Sequence, residues 1–275
     1  MQSYQLVISD LDRTLLNNDM NVSAENRDAV GEITRRGIWF VPSTGRTLAE
    51  IPAAVRALPG VRYLIYSDGS VIYDQETDQF FCEGLTPAQL EEIWAILDDY
   101  QVSPSVRNHG IPYIEESHFT AFDHYRINDY FGGLIQETAR GVRGLREFSR
   151  TLEYAEMLCI FFHSPTELLA CKERLEQLSG VHVASSDPAN LEVYSDKAGK
   201  GNALHRICRM LSVTPEETVA VGDSPNDVSM LKEAGLALAV SNACDPLKKV
   251  AHRVICSNEE HIAKYLLEEI FDEGK

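Results

Sequence analysis

The apolar run Leu6-Val7-Ile8 leads directly into Ser9-Asp10-Leu11-Asp12, and this junction constrains the fold more than any other stretch of the chain. Leu6 to Ile8 read as a buried strand, and such a strand does not normally run straight into two carboxylates. In an open α/β sheet, ligands bind at the carboxyl ends of the strands. Two carboxylates there can hold a divalent cation and still leave one oxygen free to attack. The same residues also spell an Asp-rich turn, because Asp is common where strands end. The motif alone does not choose between these readings.

The flanking pattern extends the strand into a sheet. Ser23 caps a helix running to about Arg36, and Gly37 stops it. Ile38 to Val41 form a second strand ended by Pro42. A helix follows to about Leu58, with Pro52 near its first turn or at a break. Tyr63 to Tyr66 and Val71 to Tyr73 read as β around an Asp68-Gly69 turn. Strand, helix, strand, helix, strand is the start of a parallel sheet.

The middle of the chain changes character. Thr86-Pro87-Ala88-Gln89 is a capping box that opens a helix to about Tyr100. Val102 to Arg107 and Ile111 to Glu115 form a hairpin around Asn108-His109-Gly110. Phe119 to Gly144 is aromatic, contains glycine, and fits no single pattern. Glu153 to His163 is a strand, and Ser164-Pro165-Thr166-Glu167 is a capping box for a helix ending near Gly180. Val181 to Ser185 and Leu191 to Tyr194 are again β-like. From Gly199 the alternation returns: a helix to about Leu211, a strand at Thr218 to Val221, a helix ending at Gly235, a strand at Leu236 to Val240, and a C-terminal helix from about Glu259. The fold class is therefore α/β, a parallel-sheet core with an inserted α+β domain. The expected division is 1–83 and 190–275 for the core and 84–189 for the insert.

Composition narrows the partners. At 275 residues the chain is comfortable as two domains. Its 42 Asp and Glu against 25 Lys and Arg give a net charge of −17, which argues against nucleic acid and anionic membranes as partners. An anionic substrate would need a metal or a local cluster of cations. None of the six cysteines lies in a C-x-x-C pair and several fall in apolar runs, so reduced thiols are expected and zinc is not. With no basic-then-apolar leader and no run of transmembrane length, the cytoplasm is the expected location.

Four sites share one kind of place, each after or beside a core strand. They are Asp10-x-Asp12, Ser43-Thr44-Gly45-Arg46, Lys200-Gly201 and Gly222-Asp223-x-x-Asn226-Asp227. In order and spacing they resemble the haloacid dehalogenase superfamily of phosphatases. The closest likeness is to its Cof-type branch, with an αββ-type cap between the second and third motifs. That resemblance implies a Rossmann-like core and a cap that closes over the site and reads the leaving group. It also implies Mg²⁺-dependent hydrolysis of a small phosphorylated metabolite such as a sugar, polyol or cofactor-type phosphate.

By the same resemblance, Asp10 is the nucleophile and forms an aspartyl-phosphate. Asp12 is the general acid and base. The metal ligands map onto the Asp10 side chain, the Asp12 backbone carbonyl and the Asp223 side chain, with Asn226 and Asp227 as supporting residues behind them. Thr44 offers its hydroxyl and its backbone N–H to the phosphoryl group, alongside Gly45. Lys200 offers a point charge. Lys197 competes for that role, and a solvated helix-start lysine is the plain alternative for Lys200. Arg46 would clamp phosphate or reach the cap.

Three departures from the family pattern stand out. Arg13 replaces a frequent Gly, Asp68 replaces a frequent Asn, and Asn258-Glu259-Glu260-His261-Ile262 replaces an acidic-Gly-Val segment. Arg107, Asn108 and His109, on the hairpin tip, are candidate substrate contacts. His109, His118 and His124 read as ordinary surface or cap histidines rather than a metal site, and Tyr125, Tyr130 and Phe131 as cap core. Two rivals remain: a sugar phosphomutase of the same fold, which would need an activating bisphosphate, and a non-catalytic protein that senses a phosphorylated ligand. The sequence leaves the substrate, the oligomeric state and any preference for Mg²⁺ over Mn²⁺ open.

Overall fold

The computed structural model describes residues 4–272. Its first strands are β1 (Leu6–Asp10), β2 (Trp39–Ser43), β3 (Tyr63–Tyr66), β4 (Val71–Asp74) and β5 (Gln79–Cys82). The chain then builds β6 (Val102–Asn108), β7 (Ile111–Glu115), β8 (Arg140–Val142), β9 (Met157–Phe162), β10 (Val181–Ala184) and β11 (Asn190–Ser195). It closes with β12 (Thr218–Gly222), β13 (Leu236–Ala239) and β14 (Arg253–Val254). These strands form an eight-stranded sheet ordered β14-β13-β12-β1-β2-β3-β4-β5 and a six-stranded sheet ordered β10-β11-β9-β6-β7-β8. Two compact units result. One takes the chain up to Gly45, then Ile51–Phe81, then everything from Gly199; the other takes Arg46–Glu50 and Cys82–Ala198.

In the first unit, β1 pairs in parallel with β2 on one side and β12 on the other. Leu6, Val7 and Ile8 are fully buried, which stabilises the fold by about 1.5–3 kcal/mol for each side chain. The neighbours of β1 come from opposite ends of the chain, so its carboxyl end is a topological switch point where a crevice opens. Asp10 lies there in register with Ser43. The Ala24–Arg35 helix begins as the sequence indicates, with the Ser23 side chain accepting from the Asn26 N–H. The Lys200–Leu211 helix buries Ala203, Leu204, Ile207 and Cys208, a three-to-four residue spacing that lays one face on the core. One expectation fails between β2 and β3. No helix runs through to Leu58; Leu48–Glu50 is a 3₁₀ turn and Ala53–Arg56 a single helical turn. Pro52 separates them, because it has no N–H to continue a helix.

In the second unit, β6 runs antiparallel to β7 and β9, and β11 antiparallel to β9 and β10. The Pro87–Leu97 and Pro165–Leu175 helices contribute Leu90, Ile93, Trp94, Cys171 and Leu175 to a core with Leu158, Ile160 and Phe162 of β9. Strand alternation sends Cys159 and Phe161 to the other face, where they pack with Ile127, Phe122, Tyr125 and Phe131. Tyr125 and Phe131, expected as core, are half-buried against this cluster, and Tyr130 is 47% exposed. The unassigned stretch resolves into a 3₁₀ turn at Glu116–Thr120, a helix at Asp129–Thr138 and β8.

The boundary expected at residue 190 moves to Gly199. The reason is physical: β11 is hydrogen-bonded into the six-stranded sheet. Residues 46–50 also join the second unit, tied there by the Ala49 N–H to Gly110 O at 3.0 Å. Among the described residues, no helix is long and apolar enough to cross a membrane.

Candidate active site

Asp10 ends β1 and is almost completely buried. After it the chain makes a wide turn in which the Leu16 N–H donates to Leu11 O at 2.8 Å. Within that turn Asp12 is extended and half-buried, and Arg13 has a left-handed backbone, φ +58°. A left-handed backbone costs a residue with a Cβ about 1–2 kcal/mol. That cost explains why glycine suits this position and makes Arg13 a real departure.

Gly199, φ +98°, turns the chain into the helix whose first residue is Lys200. The Lys200 side chain is fully buried, with Nζ 2.7 Å from Asp10 Oδ1 and 2.6 Å from Asp227 Oδ1. Burial works against its charge, but the carboxylates of Asp10 and Asp227 outweigh that and hold its pKa above the ordinary lysine value. Lys197 is exposed in the second unit.

Asp223 and Asp227 follow β12. Asp227 Oδ2 accepts the N–H groups of Asp223 and Ser224, each at 3.0 Å, closing a capping box on Ser224. A Cβ at Gly222 would lie 2.5 Å from Asp227 Cγ, so only glycine lets that carboxylate fold back under the loop. The Asp223 carboxylate lies 3.9 Å from Arg13 Nε. Burial first, then the negative charge of Asp227, push Asp223 up to about 6. The same two causes raise Asp10 well above the ordinary carboxylate value, against the pull of Lys200.

Asp10, Asp223 and Asp227 bring one carboxylate oxygen each within 4.8 Å of one another, all three residues being buried. Asp10 Oδ2 is buried without a hydrogen-bond partner. An all-oxygen donor set with an unsatisfied carboxylate oxygen fits a hard divalent cation. Asp227, expected behind the ligands, contributes one of these oxygens, while its Oδ1 also accepts from Lys200 and its Oδ2 from the loop N–H groups.

The residues expected on the phosphate side fall in different surroundings. Thr44 is buried just past β2, and its backbone N–H is donated to Ile65 O at 2.9 Å. Gly45 lies against the Asp68 carboxylate, whose oxygens would be 3.2 and 3.3 Å from a Cβ there. Arg46, expected to clamp phosphate or reach the cap, belongs to the second unit, where it donates to Glu50 O at 2.8 Å and Tyr130 Oη at 3.0 Å. The hairpin residues are also in that unit. Arg107 and Asn108 are buried, the Asn108 amide donates to Tyr154 O at 2.8 Å, and His109 is exposed at a left-handed turn. The histidines make ordinary contacts. His118 pairs with Ser103 Oγ and Tyr125 Oη, and His124 stacks on His163.

Asp68, in sequence only a departure from the family pattern, also lies in this cluster. Asp68 is buried, and its Oδ1 accepts from the Asn226 amide at 2.8 Å. A carboxylate two residues past the end of β3 is the same signal that marked Asp10, and it could have been weighed the same way.

The comparisons agree with this geometry. Residues 7–266 match the model of a family described as haloacid dehalogenase-like hydrolase. Phosphatase YwpJ of Bacillus subtilis is 30% identical over 283 residues, covering 97% of this chain and 99% of that one. The 5-amino-6-(5-phospho-D-ribitylamino)uracil phosphatase YcsE of the same organism is 30% identical over 261 residues, covering 94% and 93%. A solved haloacid dehalogenase-like hydrolase from B. subtilis superposes with a TM-score of 0.82 at 28% identity, over 97% of this chain and 99% of that one. With four expected motifs gathered at one sheet end and likeness along nearly the whole length, the chain belongs to the haloacid dehalogenase-like hydrolase family, in its Cof-type branch, and is an enzyme of the phosphatase class.

Proposed function

We propose that this chain is a Mg²⁺-dependent phosphomonoester hydrolase acting on a small phosphorylated metabolite through an aspartyl-phosphate on Asp10. One observation carries the reading: Asp10 is buried at the end of the central strand, one oxygen held by Lys200 and the other without a partner. A carboxylate attacking a phosphate monoester dianion meets repulsion unless cations intervene. Lys200 supplies one positive charge at the nucleophile. Asp10, Asp223 and the Asp12 backbone carbonyl are the groups that would hold Mg²⁺, with Asn226 and Asp227 supporting them; Asp227 already accepts from Lys200 at one oxygen and from the loop N–H groups at the other. Bound there, the ion neutralises phosphoryl charge as a Lewis acid.

In the first step an Asp10 oxygen forms a bond to phosphorus, the bond to the leaving oxygen breaks, and Asp12 gives that oxygen its proton. In the second, Asp12 takes a proton from water, the water oxygen attacks phosphorus, and the Asp10–phosphorus bond breaks. Inorganic phosphate leaves and the Asp10 carboxylate is restored. The Thr44 hydroxyl, the Gly45 backbone and Lys200 orient the phosphoryl oxygens in both steps. Arg46 is not part of this set. The second unit, including Arg107, Asn108 and His109, is assigned the choice of leaving group. A cytoplasmic setting suits the six cysteines, none of which forms a disulfide.

The test is phosphate release from a panel of sugar, polyol and cofactor-precursor phosphates, 5-amino-6-(5-phospho-D-ribitylamino)uracil among them because a relative is named for it. Wild type in Mg²⁺ should release phosphate from one or a few compounds; chelator or Asp10→Asn should abolish it. Release that survives Asp10→Asn, or none from any compound, would sink the proposal.

A further inference from the structure

The turn Ser67-Asp68-Gly69 has three successive residues with left-handed backbones, φ +48°, +50° and +83°. For Ser67 and Asp68 that conformation is unfavourable, and it persists only where the surroundings hold it. The surroundings here are the other motifs of the site. The Asp68 N–H donates to Thr44 O at 3.1 Å. Gly69 is pressed so closely to the start of the Lys200 helix that a Cβ would lie 2.5 Å from the carbonyl of Gly199 and 2.9 Å from Lys200 N. Arg206, one and a half turns along that helix, donates to Gly69 O at 3.1 Å and Ser70 O at 3.3 Å. The Asp68 side chain takes the Asn226 amide at 2.8 Å. One turn therefore touches the second, third and fourth motifs together.

The choice of a carboxylate has a consequence for Asn226. An ionised Asp accepts hydrogen bonds and donates none, so it fixes which end of the facing amide carries the N–H₂ group. The amide oxygen of Asn226 then faces Ser224 Oγ, which donates to it. Asn226 is thereby strung between Asp68 and the loop that carries Asp223 and Asp227. A neutral amide at position 68 would allow either orientation.

We propose that Asp68 is a positioning residue: its carboxylate holds Asn226 in one orientation and so sets the Asp223–Asp227 loop against Asp10. The role rests on the reading of this cluster as a Mg²⁺-dependent phosphoryl-transfer site. It belongs to Asp68 acting through Asn226, so it is tested as a coupling between the two.

The experiment is a double-mutant cycle on the full-length chain with Asp68→Ala, Asn226→Ala and their combination. Two quantities are read. One is the Mg²⁺ concentration that half-saturates the metal-induced rise in thermal unfolding temperature, which needs no turnover. The other is kcat and KM on the compound the panel identifies. Asp68→Ala should raise the half-saturating Mg²⁺ and lower kcat by about 10- to 100-fold, as for residues that orient metal ligands, with KM little changed. The double variant should be no worse than Asn226→Ala alone. Asp68→Asn, which keeps an acceptor oxygen but loses the charge that strengthens the bond, should lose about threefold.

Effects that add in the double variant, or Asp68→Ala indistinguishable from wild type, overturn the proposal. Should Asp68→Ala not fold, Asp68→Asn runs the same cycle. Its smaller loss must vanish beside Asn226→Ala, and a loss that persists there, or no loss at all, overturns the role of the carboxylate. Absence of turnover on every compound, with coupling intact in the Mg²⁺ titration, would sink the phosphatase reading and leave Asp68's role standing.

Discussion

Replacing Asp223 by Asn should make the metal-free protein more stable while removing its activity. The sign follows from burial. Folding takes the Asp223 carboxylate out of water and places it beside Asp227, raising it from the ordinary 3.8 to about 6. A raised carboxyl binds its proton more tightly in the folded chain than in the unfolded one. Its contribution to stability is complete below pH 3.8 and is lost as pH rises through 6. Above pH 6 the folded protein carries a charge it holds poorly, and the loss from 3.8 to about 6 amounts to about 3 kcal/mol. Asn has nearly the same shape and no charge to lose. At pH 8 in chelator, Asp223→Asn should therefore melt higher than wild type. At about 2–4 °C per kcal/mol for a chain of this size, the gain is about 6–12 °C. At pH 4 the difference should nearly vanish. Saturating Mg²⁺ should reverse the order, because wild type then gains binding free energy that the variant lacks. Calorimetric scans of both proteins at pH 4 and pH 8, with and without Mg²⁺, read all four cases. A variant less stable than wild type at pH 8 in chelator, or a difference independent of pH, would refute the electrostatic account of this site.

Two further substitutions probe how the site is held. Lys200→Met leaves Asp10 and Asp227 buried without their shared cation; it should lower stability by about 3–5 kcal/mol in urea titrations and leave no measurable phosphate release. Gly69 and Gly37 share nearly the same left-handed backbone, φ +83° and +81°, but a Cβ meets the Gly199 carbonyl at 2.5 Å in one case and nothing within 4 Å in the other. Gly37→Ala should lose only the backbone preference, about 1 kcal/mol. Gly69→Ala should lose clearly more, and should lower kcat as well because the start of the Lys200 helix must shift. Equal losses at the two positions would show that the close approach is not restrictive.

Much of the core was legible because its signals are local. Three aliphatic residues followed by Asp10, the capping box at Thr86, and glycine stops after helices each report on a few neighbouring residues. These are the scales at which a sequence speaks directly. The helix drawn through to Leu58 failed for the opposite reason. Pro52 lies between two short turns, and the first of them docks on Gly110, about sixty residues away in the chain. β11 falls in the second unit because a strand's sheet is decided by its hydrogen-bonded neighbours, here β9 and β10, and nothing within Asn190–Ser195 names them.

The same distinction runs through the site. The sequence by itself determined the chemistry available: carboxylates at the ends of core strands, a lysine at a helix start, and an Asp-x-x-Asn-Asp loop after a fourth strand. It also determined the α/β class, since alternating buried strands and amphipathic helices have few ways to pack. Only the tertiary structure decided which groups meet. Lys200 is chosen over Lys197 because the helix start buries it between Asp10 and Asp227. Arg46 meets Tyr130, and Asp68 meets Asn226. Residues 10, 68, 200 and 227 are far apart in the chain, and their partnership comes from a strand order that brings both ends of the sequence to one sheet end. The raised values of Asp10 and Asp223 likewise arise from lost water and neighbouring charge, which exist only once the chain has folded.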